Sequence, residues 1–116
     1  MINIDMATKT LNDSLVCELR VNRRLRDELL KLSYSWYEEV QKIAAFLCGN
    51  KTNQTKQSVV KECNAFFTVS HTIHGSFDKA LEGKPVAAHL KAIFLTCKLE
   101  VLRRIAVLKL QVLRSL

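Results

Sequence analysis

Residues 77–91 read FDKALEGKPVAAHLK, and the order of residue types within them decides the fold. Gly83 stands where a helix can end in a left-handed turn, and Pro85, two positions on, has the fixed φ of a first helical residue. Leu81 on one side and Val86 and Leu90 on the other can close over the corner, so apolar contact rather than the loop sets the angle between two helices. The stretch predicts a helical hairpin, one helix over about 55–82 returning as another over about 86–114.

Upstream of the corner the period is regular. Val59, Cys63, Phe66, Ser70, Ile73, Phe77 and Ala80 recur in steps of four and three, and Val60, Phe67 and Leu81 widen the stripe. Downstream there are two stripes: Leu90, Ile93, Cys97, Val101, Ile105, Leu108 and Val112, and beside them Leu95, Leu99, Leu102, Ala106, Leu110 and Leu113. One partner helix cannot cover both, which predicts a helix central to a bundle or pressed against a second copy of the chain. A homodimer is expected.

The first third reads as another long helix, about 11–48. Thr10 and Asp13 resemble an N-terminal cap, and Leu25, Leu29, Leu32, Trp36, Val40, Ile43 and Leu47 follow in steps of four and three. LSYSWY has poor helix propensity and marks a place where this helix could divide. Gly49 suits a left-handed closing residue, and NKTNQT reads as a polar loop with a capping Thr or Asn. The expectation is an all-α, single-domain chain over residues 1–116: a three-helix protomer of long antiparallel helices, paired into a homodimeric bundle.

The 116 residues carry a formal net charge of +7, unevenly placed. Residues 84–116 hold seven Lys or Arg against the single acid Glu100, while residues 1–83 hold eleven against ten. A second basic cluster, Arg20, Arg23, Arg24 and Arg26, is partly offset by Asp27 and Glu28. Such a balance suits a polyanionic partner. Cys17, Cys48, Cys63 and Cys97 form no Cys-x-x-Cys pair and read as reduced, buried thiols. MINIDMATKT lacks the apolar run of a secretory signal, which predicts a cytoplasmic protein and makes the triplets beginning at Asn50 and Asn53 incidental. Lys91, Lys98, Glu100, Arg103 and Arg104 interrupt the longest apolar region, so no membrane span is expected.

No phosphate loop, nucleophile elbow or His-Glu-x-x-His is present, and Glu38 and Glu39 are adjacent and point apart. Neither an enzyme nor a small-molecule substrate nor a cofactor is expected. His71 and His74, three apart, could bind a metal with Cys63 or His89, but a polar helix edge accounts for them and no metal is expected. The face opposite the helix-two stripe is more informative. It carries Lys56, Lys61, Asn64, Thr68, His71, Thr72, Gly75 and Lys79, with Glu62 and Asp78 beside it and Ser70 grouped with its short polar side chains. Lys56 to Lys79 spans roughly 35 Å at helical rise. Laid along a duplex, such a strip could touch phosphates with Lys and ribose hydroxyls with Asn, Thr and His, reading shape and ignoring sequence. An ordinary solvated helix face is also polar and lysine-bearing, and composition alone does not separate the two.

VVKECNAFFTVSHTIHGSFDKALEGKPVAAHLK resembles the middle of the small RNA-silencing suppressors of insect nodaviruses, the B two proteins, from about residue 53 to 92. In that family a first helix and a polar loop lead into a long second helix. It ends in a Leu-Glu and Lys-Pro corner followed by small apolar residues and a leucine, as Leu81 to Leu90 do here; the later LRRIAVLKL is similar to a basic, leucine-rich segment in the same place. The resemblance implies an all-helical homodimer that lies along double-stranded RNA and shields it from host silencing enzymes in the host-cell cytoplasm. Lys56 matches the family's basic entry to helix two, and the centre of the RNA-facing strip falls near Thr68, Ser70, His71 and Gly75. Where the family tends to place Lys or Arg in mid-helix, this chain has Thr68, Ser70 and Gly75. The binding face is therefore expected to have moved toward Arg20, Arg23 and Arg24, or toward Arg103 and Arg104 of a longer third helix. The alternative expectation is a protein-interaction module that docks through the leucine-rich third helix; a basic membrane-surface helix at residues 86–114 ranks below both.

Overall fold

A computed structural model describes residues 4–49 and 54–116, with side chains from Thr8 onward. The described residues form four helices and no strand: α1 (Ile4–Glu18), α2 (Arg23–Cys48), α3 (Lys56–Leu81) and α4 (Ala87–Ser115). The all-α expectation holds, and the three-helix protomer becomes a four-helix one. A single helix over 11–48 would be about 57 Å long, whereas the molecule measures 50 × 22 × 18 Å. The chain instead turns at 19–22. Asn22 caps α2, its side-chain oxygen accepting from the Leu25 N–H at 3.2 Å. Thr10 is not a cap but lies inside α1, where Thr8, Leu11 and Leu15 are buried in line with Leu19 just beyond its end.

LSYSWY stays helical because Ser33 and Trp36 stand at contacts with other helices. Ser33, fully buried, donates to Asn12 Oδ1 of α1 at 2.7 Å, and so Ser33 rather than Leu32 takes the inward position between Leu29 and Trp36. Local propensity is outweighed by packing on both sides. Trp36 crosses to α3, where its Nε1–H donates to Ser70 Oγ at 2.8 Å.

α2 and α3 pack together, α3 packs on α4, and α2 also meets α4; α1 lies on α2 and α4 and does not reach α3. The centre is aromatic. Phe94 stacks on Phe77 with ring centroids 4.4 Å apart and meets Trp36 at 5.6 Å, contacts that add about 0.5–1.5 kcal/mol each beyond simple burial. The expected inward stripe of α3 is buried from Val59 to Phe77, with Ala80 half-buried.

The hairpin corner is present with one shift. Gly83 has φ 74°, the left-handed conformation that glycine adopts without a Cβ penalty, and Leu81 and Leu90 are fully buried beneath it. Pro85 does not open α4. It sits in a second turn, in which the Ala87 N–H reaches the Lys84 carbonyl at 3.1 Å, and the helix begins at Ala87. Gly49 is likewise not left-handed: its φ is −84° and ψ −163°. A Cβ there would meet the Ala45 carbonyl oxygen at 2.8 Å, so close backbone approach is the reason for glycine. Thr55 supplies the expected cap of α3 in a reciprocal box with Ser58; residues 50–53, which include both glycosylation-like asparagines, lie outside the described residues.

Of α4's two apolar stripes the chain covers one. Leu90, Cys97, Val101, Ile105 and Val112 are buried, whereas Leu95, Leu99 and Leu110 are 41%, 55% and 53% exposed. The four cysteines are free. Cys63 and Cys97 are buried as expected, but Cys17 and Cys48 are exposed, because each lies on the outer side of its helix. No described helix is long and apolar enough to cross a membrane.

Candidate nucleic-acid interface

The strip on α3 is one continuous surface. Lys56, Lys61, Asn64, Thr68, His71, Thr72, Gly75 and Lys79 are all exposed along a single 26-residue helix. At 100° per residue all of them but Lys56 occupy the sector opposite Val59, Phe66, Ile73 and Phe77, so burial of one stripe fixes presentation of the other; Lys56, in line with Cys63, is exposed because it is the first residue of the helix. Thr72 donates its hydroxyl hydrogen to the Thr68 carbonyl at 3.0 Å, leaving its oxygen lone pairs outward. Gly75 has nothing within 4 Å of where a Cβ would stand. Its lack of a side chain serves no internal packing and leaves the helix backbone approachable from outside.

Ser70 does not belong to this surface. It is fully buried as the acceptor for Trp36. The spacing allowed both readings, since Ser70 also falls on the inward period; a hydroxyl within reach of an indole N–H decided for the inside.

The two arginine groups toward which the face was expected to move go to different places. Trp36 meets Ser70, and Ile43 and Phe46 face Phe66 and Glu62 across one groove, so α2 and α3 run antiparallel. Exposed Arg20, Arg23 and Arg24, at the start of α2, therefore share an end of the bundle with Lys79 and Lys84. Arg103 and Arg104 do not join the strip. They clasp Glu100, Arg104 Nε at 2.8 Å and Arg103 at 3.1 Å, which partly neutralises both and holds the carboxyl below its usual range, chiefly through the Arg104 hydrogen bond. Glu100 also lines a groove of about 450 Å³ with Thr10, His89 and Thr96, on the α1 side of α4 and away from α3. Lys109 lies near Cys63, toward the Lys56 and Lys61 end of α3. Cations thus gather at both ends of the α3 face, with short neutral groups between.

His71 and His74 do not converge on a metal. His74 turns inward, His89 pairs with Glu18 at 2.9 Å, and no three potential ligands cluster among the described residues. The sequence reading missed what His74 meets. Lys98, treated only as a charge interrupting an apolar run, is 7% exposed, with Nζ 2.7 Å from His74 Nδ1. Its position between buried Cys97 and Val101 was the available signal. Burial, then the neighbouring Lys98 charge, pushes the His74 pKa down; burial also lowers that of Lys98 and raises the Cys97 thiol to about 11.

No protein-family model matches the chain, and no curated protein or solved structure matches it either.

Proposed function

We propose that the protein is a non-enzymatic, dimeric binder of double-stranded RNA that recognises charge and A-form shape without base sequence and shields the duplex from silencing enzymes. One observation carries this reading: an exposed α3 surface about 35 Å long, with Lys56 at the start of the helix, Lys61 a turn beyond it, Lys79 at the other end and Asn64, Thr68, His71, Thr72 and Gly75 between. Cations at the ends suit phosphates, and short donors and acceptors beside a bare backbone suit ribose hydroxyls in a shallow groove. No aromatic ring on this strip offers a stacking platform for unpaired bases.

The uncovered stripe on α4 supports pairing with a second copy. From Leu95 to Leu113 it runs about 27 Å along α4, with three of its leucines more than 40% exposed. Exposed Leu95, Leu99 and Leu110 equally favour the second reading, a protein-interaction module docking through α4.

The test is titration of a fluorescent duplex RNA, with duplex DNA and single strands as competitors, at two salt concentrations. Tight, salt-sensitive binding that duplex DNA competes poorly is expected. Equal affinity for duplex DNA would remove ribose reading, and no binding in dilute buffer would leave the interaction module.

A further inference from the structure

We propose that Lys98, His74 and Asp78 form an acid-released latch that pins α4 to the middle of α3. The chain of contacts admits one arrangement of protons. Lys98 Nζ lies 2.7 Å from His74 Nδ1, and an ammonium only donates, so Nδ1 must be the unprotonated nitrogen of a neutral ring. The ring proton is then on Nε2, which faces Asp78 Oδ2 at 3.4 Å. A cation on α4 is thus joined through a neutral imidazole to an anion on α3, with the ring held against Phe94 at a centroid distance of 5.3 Å.

One added proton breaks this chain. It can go only to Nδ1, the atom Lys98 occupies, and would set an N–H and a second positive charge against the ammonium. Lys98 must then swing out on its four-carbon stem, removing the polar tie between α3 and α4 and leaving two cations beside the neutral middle of α3. The ionisable groups acting on the ring are Lys98 from α4 and Asp78 and His71 from α3; α2 faces this level of the core with the Trp36 indole, packed on Phe94. Burial and Lys98 both disfavour the protonated ring, so closure and protonation exclude one another. The network is also incomplete: Asp78 Oδ1 is buried without a partner. A half-satisfied, partly buried network is a poor stabiliser compared with an apolar contact, which fits a switch better than a strut. The latch goes beyond the RNA-binding reading and stands without it.

The experiment follows the histidine side-chain nitrogens of the intact protein by NMR through an acid titration, in wild type, Lys98→Met and Asp78→Asn. Expected are the Nε2–H tautomer of His74 at neutral pH and a titration midpoint below that of a histidyl model peptide. The Lys98 ε-methylene should move at the same midpoint, which should rise in Lys98→Met and fall further in Asp78→Asn. An Nδ1–H tautomer, or a His74 midpoint unmoved by both substitutions, would overturn the latch.

Discussion

Replacing Lys56, Lys61 and Lys79 together with Ala tests the α3 face quantitatively. All three are exposed, and none makes an ion pair among the described residues, so the folded chain should lose little; surface changes of this kind stay within about 0.5 kcal/mol. Each phosphate neutralised contributes about −0.9 to the slope of log affinity against log salt, so three contacts contribute about −2.7 per protomer. Relative to 1 M salt, their loss lowers affinity, for each protomer in contact with the duplex, about 500-fold at 0.1 M, or roughly 3.7 kcal/mol, and only about 25-fold at 0.3 M. The assay is fluorescence anisotropy with duplex RNA at several salt concentrations, with circular dichroism to show that helix content is unchanged. A triple variant that binds with the wild-type slope would refute the assignment of phosphates to this face, whatever its absolute affinity.

Ser70→Ala strands the buried Trp36 N–H and should cost about 1–3 kcal/mol in chemical denaturation; a neutral result would mean the indole finds another acceptor. Replacing Leu99 and Leu110 with Glu should shift light-scattering mass from dimer to monomer without loss of helix, since both side chains are more than half exposed in the single chain; a monomeric wild type would end the pairing proposal. Stability should fall on both sides of neutrality. The folded pKa of His74 is depressed, so its contribution is present above about 6.5 and is lost as pH falls through the folded value. Cys97 is raised from 9.0 to about 11, so its contribution is lost as pH rises across that interval. That loss is of order 3 kcal/mol, and urea midpoints across the pH range would check both, with Cys97→Ala expected to shrink the alkaline limb and leave the part due to the Cys63 thiol, which burial also raises.

The periodicities of α3 and α4 were legible because a helix repeats faces at fixed angles: Val59, Phe66, Ile73 and Phe77 had to share a side, and the lysines and threonines were left on the other. The corner at Gly83 was legible because few residues accept its backbone geometry. Excess was legible too, since α4 carried more apolar circumference than one neighbour can bury. The division of the first helix was misplaced because LSYSWY is weak only in isolation, and what rescues it, Asn12 against Ser33 and Ser70 against Trp36, comes from helices distant in sequence. The same distance hid Lys98. Spacing placed it beside buried residues, but only α3 lying against α4 supplies the His74 nitrogen that receives its charge. Sequence determined which side of each helix faces inward, a local consequence of 3.6 residues per turn; tertiary packing decided which polar side chains are drawn inside with it, because that depends on a partner across an interface the chain order does not contain.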